Sequence, residues 1–209
     1  MMASALRRFT FTAHITSSVG WLGAVIAFLA LAVIGLTSRD EATVRGAYLV
    51  MAPAAWFVLV PLAHASLLSG IAISLGTPWG VFRHYWVVLK LVITAFATVI
   101  LMIYMGTFRQ MAGVAADPVV ELGLVRNPSP VVHAILAFVL LVLATVLGVY
   151  KPFGMTPYAS RRQAARRPAI AASALTSTGT TPWPYIAAVI AILALVFLLF
   201  HLASGHVRH

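Results

Sequence analysis

The sequence predicts an all-α protein, a polytopic bundle of transmembrane helices, and three observations predict it. Five apolar runs each reach the ~20 residues that a helix needs to cross a ~30 Å hydrocarbon layer. Hydrophobic residues make up 62% of the 209 positions and charged residues 9%, which leaves too little polar surface for a water-soluble domain. The four acids, Asp40, Glu41, Asp117 and Glu121, all fall in two of the links between the runs.

The first span is expected at 9–36. Its start, RRFTF, superficially resembles a twin-arginine export signal, but the apolar stretch behind it runs well beyond the 7–15 residues of a signal core, so it reads as an uncleaved helix. The charged link SRDEATVR, from Ser38 to Arg45, separates it from a second span at 47–75. Pro53 and Pro61 each remove a backbone donor inside that span and are expected to kink it. The link GTPWGVFRHYW is short, which makes spans two and three antiparallel neighbours, and its Trp79, Phe82, Tyr85 and Trp86 resemble an interfacial aromatic belt. A third span is expected at 82–104, followed by a loop from Thr107 to Pro130, where Asp117-Pro118 and NPSP halt one helix and begin the next. The fourth span is expected at 131–150. Residues 151–184 are basic through RRQAARR and then rich in Ser, Thr, Gly and Pro, the composition of a tether. A fifth span, at 185–203, is therefore expected to pack peripherally on a four-helix core. Residues 1–209 form one integral membrane domain in this reading.

The net charge of +10 does not point to nucleic acid, because the cations are distributed by side of the membrane. Arg7, Arg8, Arg83, Lys90, Lys151, Arg161, Arg162, Arg166 and Arg167 fall together if the N-terminus is cytoplasmic; Arg39, Arg45, Arg109, Arg126 and Arg208 share the opposite side with all four acids. The positive-inside rule then places the N-terminus inside and the C-terminus outside a bacterial inner membrane. The lipid bilayer is the expected partner, with RRQAARR against anionic headgroups. No cysteine is present, so disulfides and thiolate ligands are excluded and any metal or haem would need His, Met, Lys or Tyr. No Asp or Glu lies within a span, which argues against a carboxylate-based proton relay or cation-coupled carrier.

The ionisable candidates at membrane depth are His14, His64, His84, Lys90, His133 and His201. At ~1.5 Å per residue, His14 lies about 8 Å and Lys90 about 12 Å from the inner face, so the two share a level. His64 lies about 16–18 Å from the inner end of span two, and His133 and His201 fall near the outer face. His14 has Ser17 and Ser18 beside it and Trp21 seven residues on along the same helical face. A histidine in a membrane helix also serves simply by hydrogen-bonding across a packed interface, and a lysine by snorkelling to the headgroups. A bundle of apolar helices offers a low-dielectric pocket for haem, with His14 or His64 as ligands to the iron and Lys90 and Arg83 placed to neutralise propionates.

The segment His14-Ile-Thr-Ser-Ser-Val-Gly-Trp21-Leu-Gly23 resembles the H-x6-W-x-G opening of the CopD-like and HemJ-like membrane families. Trp86-Val-Val-Leu-Lys90-Leu91 is similar to their W-x-x-x-K-L segment. The resemblance implies a small helical bundle. From the HemJ-like side it implies haem b and oxidation of a porphyrinogen, with His14 and Lys90 as key haem-site residues; from the CopD-like side it implies copper handling. Beyond Gly23 the apolar run AVIAFLALAVIGL, without Tyr, Pro or Arg, departs from the HemJ-like pattern. The whole chain also resembles an uncharacterised bacterial family of multi-pass integral membrane proteins, which implies no activity.

Three functions stay open from the sequence. One is haem-linked electron transfer with a quinone or porphyrin partner, through His14, His64, Trp21, Lys90 and Arg83. The second is copper binding or transport, because thioether and imidazole ligands suit copper and Met102, Met105, His133 and His201 gather toward the outer face. The third is a non-catalytic accessory subunit beside other membrane subunits.

Overall fold

The computed structural model describes residues 3–77, 80–151 and 154–164, together with the single positions Ala187, Ala191, Leu195 and Leu198. The described structure is helical throughout, apart from turns and one isolated bridge between His84 and Met155. Four stretches, Ser4–Thr37, Glu41–Gly76, Tyr85–Ala116 and Leu122–Tyr150, are long and apolar enough to cross a membrane. The protein is thus an all-α, multi-pass bundle. Large apolar side chains such as Phe9, Val19, Phe57 and Val99 stand exposed on its outside, as a lipid environment requires.

Helix α1 is Ser4–Thr37 and α2 is Glu41–Gly76. Asp40 starts α2 by accepting the Thr43 amide at 2.9 Å, which satisfies one of the donors that a helix N-terminus leaves open. Both expected prolines lie in α2, and the helix answers them with one widened turn at Ala55–Leu59, where the Val60 amide reaches back five residues to the Ala55 carbonyl. Ala55 and Leu59 turn inward from this turn, while Trp56 and Phe57 turn out.

Helix α3, Tyr85–Ala116, continues well past the end expected at residue 104. Tyr104, Met105, Phe108, Met111 and Ala115 are buried at helical spacing while Arg109 and Gln110 stand on the exposed side, so core packing carries the helix beyond its purely apolar stretch. A short helix α4, Leu122–Val125, and a turn capped by the Asn127 side chain on the Ser129 amide lead into α5, Ser129–Tyr150. Lys151 ends α5 in a left-handed conformation with φ 45°. The chain then folds back on the α2–α3 link, where the Thr156 amide and hydroxyl donate to the carbonyls of Arg83 and Phe82 at 2.9 and 2.6 Å. Helix α6, Pro157–Ala164, follows with Ala159 buried. Most of the expected fifth span and of the 151–184 loop lies outside the described residues; Ala187, Ala191, Leu195 and Leu198 are helical and exposed.

α1 packs against α2 and α5, and α3 packs against the same two helices, so α1 and α3 face each other across the diagonal of a square. The acidic end of the square is tied shut. Arg126 donates to the Leu36 and Ser38 carbonyls at 2.7 and 2.6 Å, at the C-terminal end of α1. Arg45 donates to the carbonyls of Asp117 and Val120 and pairs with Glu41 at 2.7 Å. Tyr48, fully buried, donates to the Asn127 carbonyl and accepts the Asn127 amide. Below this lid, Phe28, Phe108 and Tyr104 meet edge to face. At the basic end Thr156 ties the chain after α5 to the α2–α3 link.

Candidate ligand cavity at the basic end

The cavity of about 460 Å³ at the basic end lies among all four long helices, within the ~300–1,000 Å³ range of small-molecule sites. Phe11, Leu67, Ile73, Val87 and Leu91 give it apolar walls. Arg7, Arg8, Lys90 and Lys151 give it cations, and Ser66, Ser74, Thr77 and Thr94 supply hydroxyls.

His14 and Lys90 meet here. They come from the diagonal pair α1 and α3, and Lys90 Nζ approaches His14 Nε2 to 3.4 Å across the space between them. The imidazole is held from behind: its Nδ1 lies 3.1 Å from the Ser66 carbonyl and 3.2 Å from Ser69 Oγ. A carbonyl oxygen only accepts, so Nδ1 carries the hydrogen and Nε2 presents its lone pair to Lys90. Ser69 gives its own hydroxyl hydrogen to carbonyls of its helix, which frees its lone pairs for the same Nδ1–H. The Ser18 and Ser66 hydroxyls, 2.7 Å apart, brace α1 on α2 one turn further along.

Two glycines make this pairing sterically possible. A methyl group at Gly70 would stand 3.1 Å from His14 Cε1, and one at Gly148 would stand 3.1 Å from Lys90 Nζ. Neither glycine stood out in the sequence, because helix azimuths are set by packing. The other cations of the mouth were missed as site residues for a simpler reason: Arg7, Arg8 and Lys151 read as topology signals.

The remaining sequence candidates lie elsewhere. Trp21 is buried, but it lines a second cavity of about 80 Å³ toward the acidic end rather than the one that holds His14. Seven residues keep the same helical face but move about 10 Å along it. His64 is half-buried, with Nδ1 donating to the Val60 carbonyl of its own helix at 2.8 Å, and it does not line the His14 cavity. Two residues from Ser66 is about 200° around a helix, so His64 faces away from His14. Arg83 is likewise not on the cavity wall; its alkyl chain folds over Gly80, whose φ of 59° and missing side chain make room for it. His133 faces the smaller cavity, stacked on Tyr104 at 4.0 Å, with Nδ1 donating to the Ser129 carbonyl at 2.7 Å. Met102 is 40% exposed on the outside of α3 and Met105 is packed in the core, and neither lines the cavity that His133 faces. His201 lies outside the described residues. Among the described residues no three His, Cys, Asp or Glu side chains gather as a metal site.

No family model matches the chain, and no curated protein or solved structure matches it either. The cavity is therefore interpreted from its own chemistry.

Proposed function

We propose that the protein binds haem b in the basic-end cavity and serves in electron transfer, with a quinone or a porphyrinogen as the partner. The observation that carries this reading is the tethered imidazole of His14. A histidine that ligates a metal commonly gives its other ring N–H to a carbonyl, which fixes tautomer and orientation. The Ser66 carbonyl does this for His14 and leaves Nε2 as the ligating atom on the cavity side. The apolar walls suit a macrocycle and the cations at the mouth suit its propionates. Lys90 Nζ stands where a metal would approach Nε2, so its flexible chain must swing aside when the group binds. Bound haem would supply one-electron chemistry. In the same reading the chain sits in the bacterial inner membrane with the N-terminus and the cavity mouth cytoplasmic, supported by the cations at that end.

The test is Soret absorbance per mole of protein after haem-supplemented expression. The wild type should show the band, and His14→Ala should lose it while eluting as a folded species. A wild type without the band, or an unchanged band in His14→Ala, overturns the assignment. Single cysteines at Ser38 and Ser160 test the orientation by impermeant thiol labelling. Only Ser38 should label from outside intact cells.

A further inference from the structure

Lys90 and His14 make more than a packing contact, because each is set for one half of a nucleophilic pair. Lys90 stands five positions after Tyr85, the first residue of α3, counted as 90 minus 85, and a lysine about 8 Å from a helix end has the reach to snorkel toward the headgroups. Its Nζ instead crosses the bundle to α1 and lies 3.4 Å from His14 Nε2. The same amine lies against Gly148 of α5, where an added methyl would stand 3.1 Å from Nζ. The amine is thus presented on the wall of the cavity of about 460 Å³.

The tautomer of His14 gives the contact a direction. Nδ1 donates its hydrogen to the Ser66 carbonyl at 3.1 Å, so Nε2 faces Nζ as a proton acceptor. Transfer of a Lys90 proton to it leaves a lone pair on Nζ. A nucleophile, a base within hydrogen-bond reach and a third group that orients the base make up an activated nucleophile, and Lys90, His14 and the Ser66 carbonyl fill these places in turn. A primary amine in this state attacks a carbonyl carbon. With an ester the product is an amide, which consumes the lysine; with an aldehyde it is an imine, which water reverses. The walls select the rest of the ligand, since Phe11, Leu67, Ile73, Val87 and Leu91 favour a hydrocarbon chain or ring behind the aldehyde.

We propose that Lys90 captures apolar aldehydes as a Schiff base, with His14 as the base. Nζ bonds to the carbonyl carbon while one N–H proton passes through Nε2 to the carbonyl oxygen. The second N–H proton follows the same route as the C–O bond breaks and water leaves. One amine and one aldehyde give one imine and one water, with no change of oxidation state. The step takes place in the cavity of the haem reading, but it uses Lys90 in place beside His14 and needs no iron, so a protein without a Soret band leaves it standing.

The chain has two lysines, and the exposed Lys151 is the internal comparator. The full chain in phosphatidylcholine nanodiscs is incubated with decanal and cyanoborohydride, which reduces an imine to a stable secondary amine, and peptide mass spectrometry locates the label. Lys90 should label at least about tenfold faster than Lys151, and the ratio of Lys90 to Lys151 labelling should be higher with decanal than with propanal. His14→Ala should slow labelling of Lys90 by at least about tenfold and leave Lys151 unchanged. His14→Gln keeps a hydrogen-bonding side chain without a base and should slow Lys90 to the same degree. Equal labelling of the two lysines in the wild type, label on Lys151 alone, the same ratio with both aldehydes, or an unchanged Lys90 rate in the two His14 variants would overturn the proposal.

Discussion

Gly70→Ala is the sharpest probe of whether the His14 ring is held for a purpose. The added methyl would sit 3.1 Å from Cε1, inside the 3.4–4 Å of ordinary contact, so the ring must retreat by about 0.3–0.9 Å. The Nδ1 contacts to the Ser66 carbonyl and Ser69 Oγ begin at 3.1 and 3.2 Å. A retreat of about 0.4 Å along them reaches the limit of a useful hydrogen bond. Losing one such bond costs roughly 0.5–1.5 kcal/mol, which predicts haem binding weakened about two- to twelvefold. Helix propensity works in the opposite direction, since alanine stabilises a helix interior by roughly 0.5–1 kcal/mol relative to glycine. The variant should therefore be no less stable than the wild type while binding haem less well, a combination that general destabilisation does not produce. Gly23→Ala is the control, because nothing lies within 4 Å of a methyl there. Haem titration followed at the Soret band, beside thermal unfolding in the same detergent, makes the comparison. Equal haem affinity in Gly70→Ala and Gly23→Ala would refute the claim that the Ser66 tether positions a ligand.

Three other outcomes follow from the remaining structure. Arg126→Met removes two charge-assisted bonds to the Leu36 and Ser38 carbonyls and should destabilise the bundle by roughly 2–3 kcal/mol after allowance for partial exposure, seen as a lowered unfolding midpoint, whereas Arg109→Met should change it little. Tyr104→Phe deletes the hydroxyl that donates to Ser129 Oγ at 2.9 Å and should cost about 1 kcal/mol, with the haem band unchanged because Tyr104 lines the other cavity. Asp40 is held below the usual carboxylate range by hydrogen bonds from the Thr43 hydroxyl and amide. A lowered carboxyl contributes stability above its ordinary value and loses it as pH falls through the lowered one, so amide exchange at the start of α2 should rise on acidification and Asp40→Asn should flatten that response.

The helices were legible in the sequence because lipid imposes one length and one polarity on every span. Their ends were less so, as α3 shows: hydropathy stops near Tyr104, but Met105, Phe108, Met111 and Ala115 keep a buried face and the helix runs on. Counting residues put His14 and Lys90 at one level, and the structure brings them within 3.4 Å. Counting fixes depth alone, however, and azimuth decided the other candidates. His64 points the wrong way around α2, and Trp21 keeps the right azimuth at the wrong height. Gly70 and Gly148 carried no signal at all, since their meaning is the absence of an atom opposite a side chain from another helix.

The two ends of the bundle place the same residue type in different settings. At the acidic end arginine is structural: Arg126 and Arg45 spend their guanidinium hydrogens on carbonyls and on Glu41, which ties the bundle above an aromatic layer. At the basic end Arg7 and Arg8 line a cavity together with Lys90, and none of the four acidic side chains lines it. A charge count by side treats both sets alike, as a signal of orientation. The geometry separates them, because the first set caps carbonyls and the second lines a cavity with apolar walls. The cavity with its cations lies at one end of the bundle, and the ties made by Arg126, Arg45 and Tyr48 lie at the other.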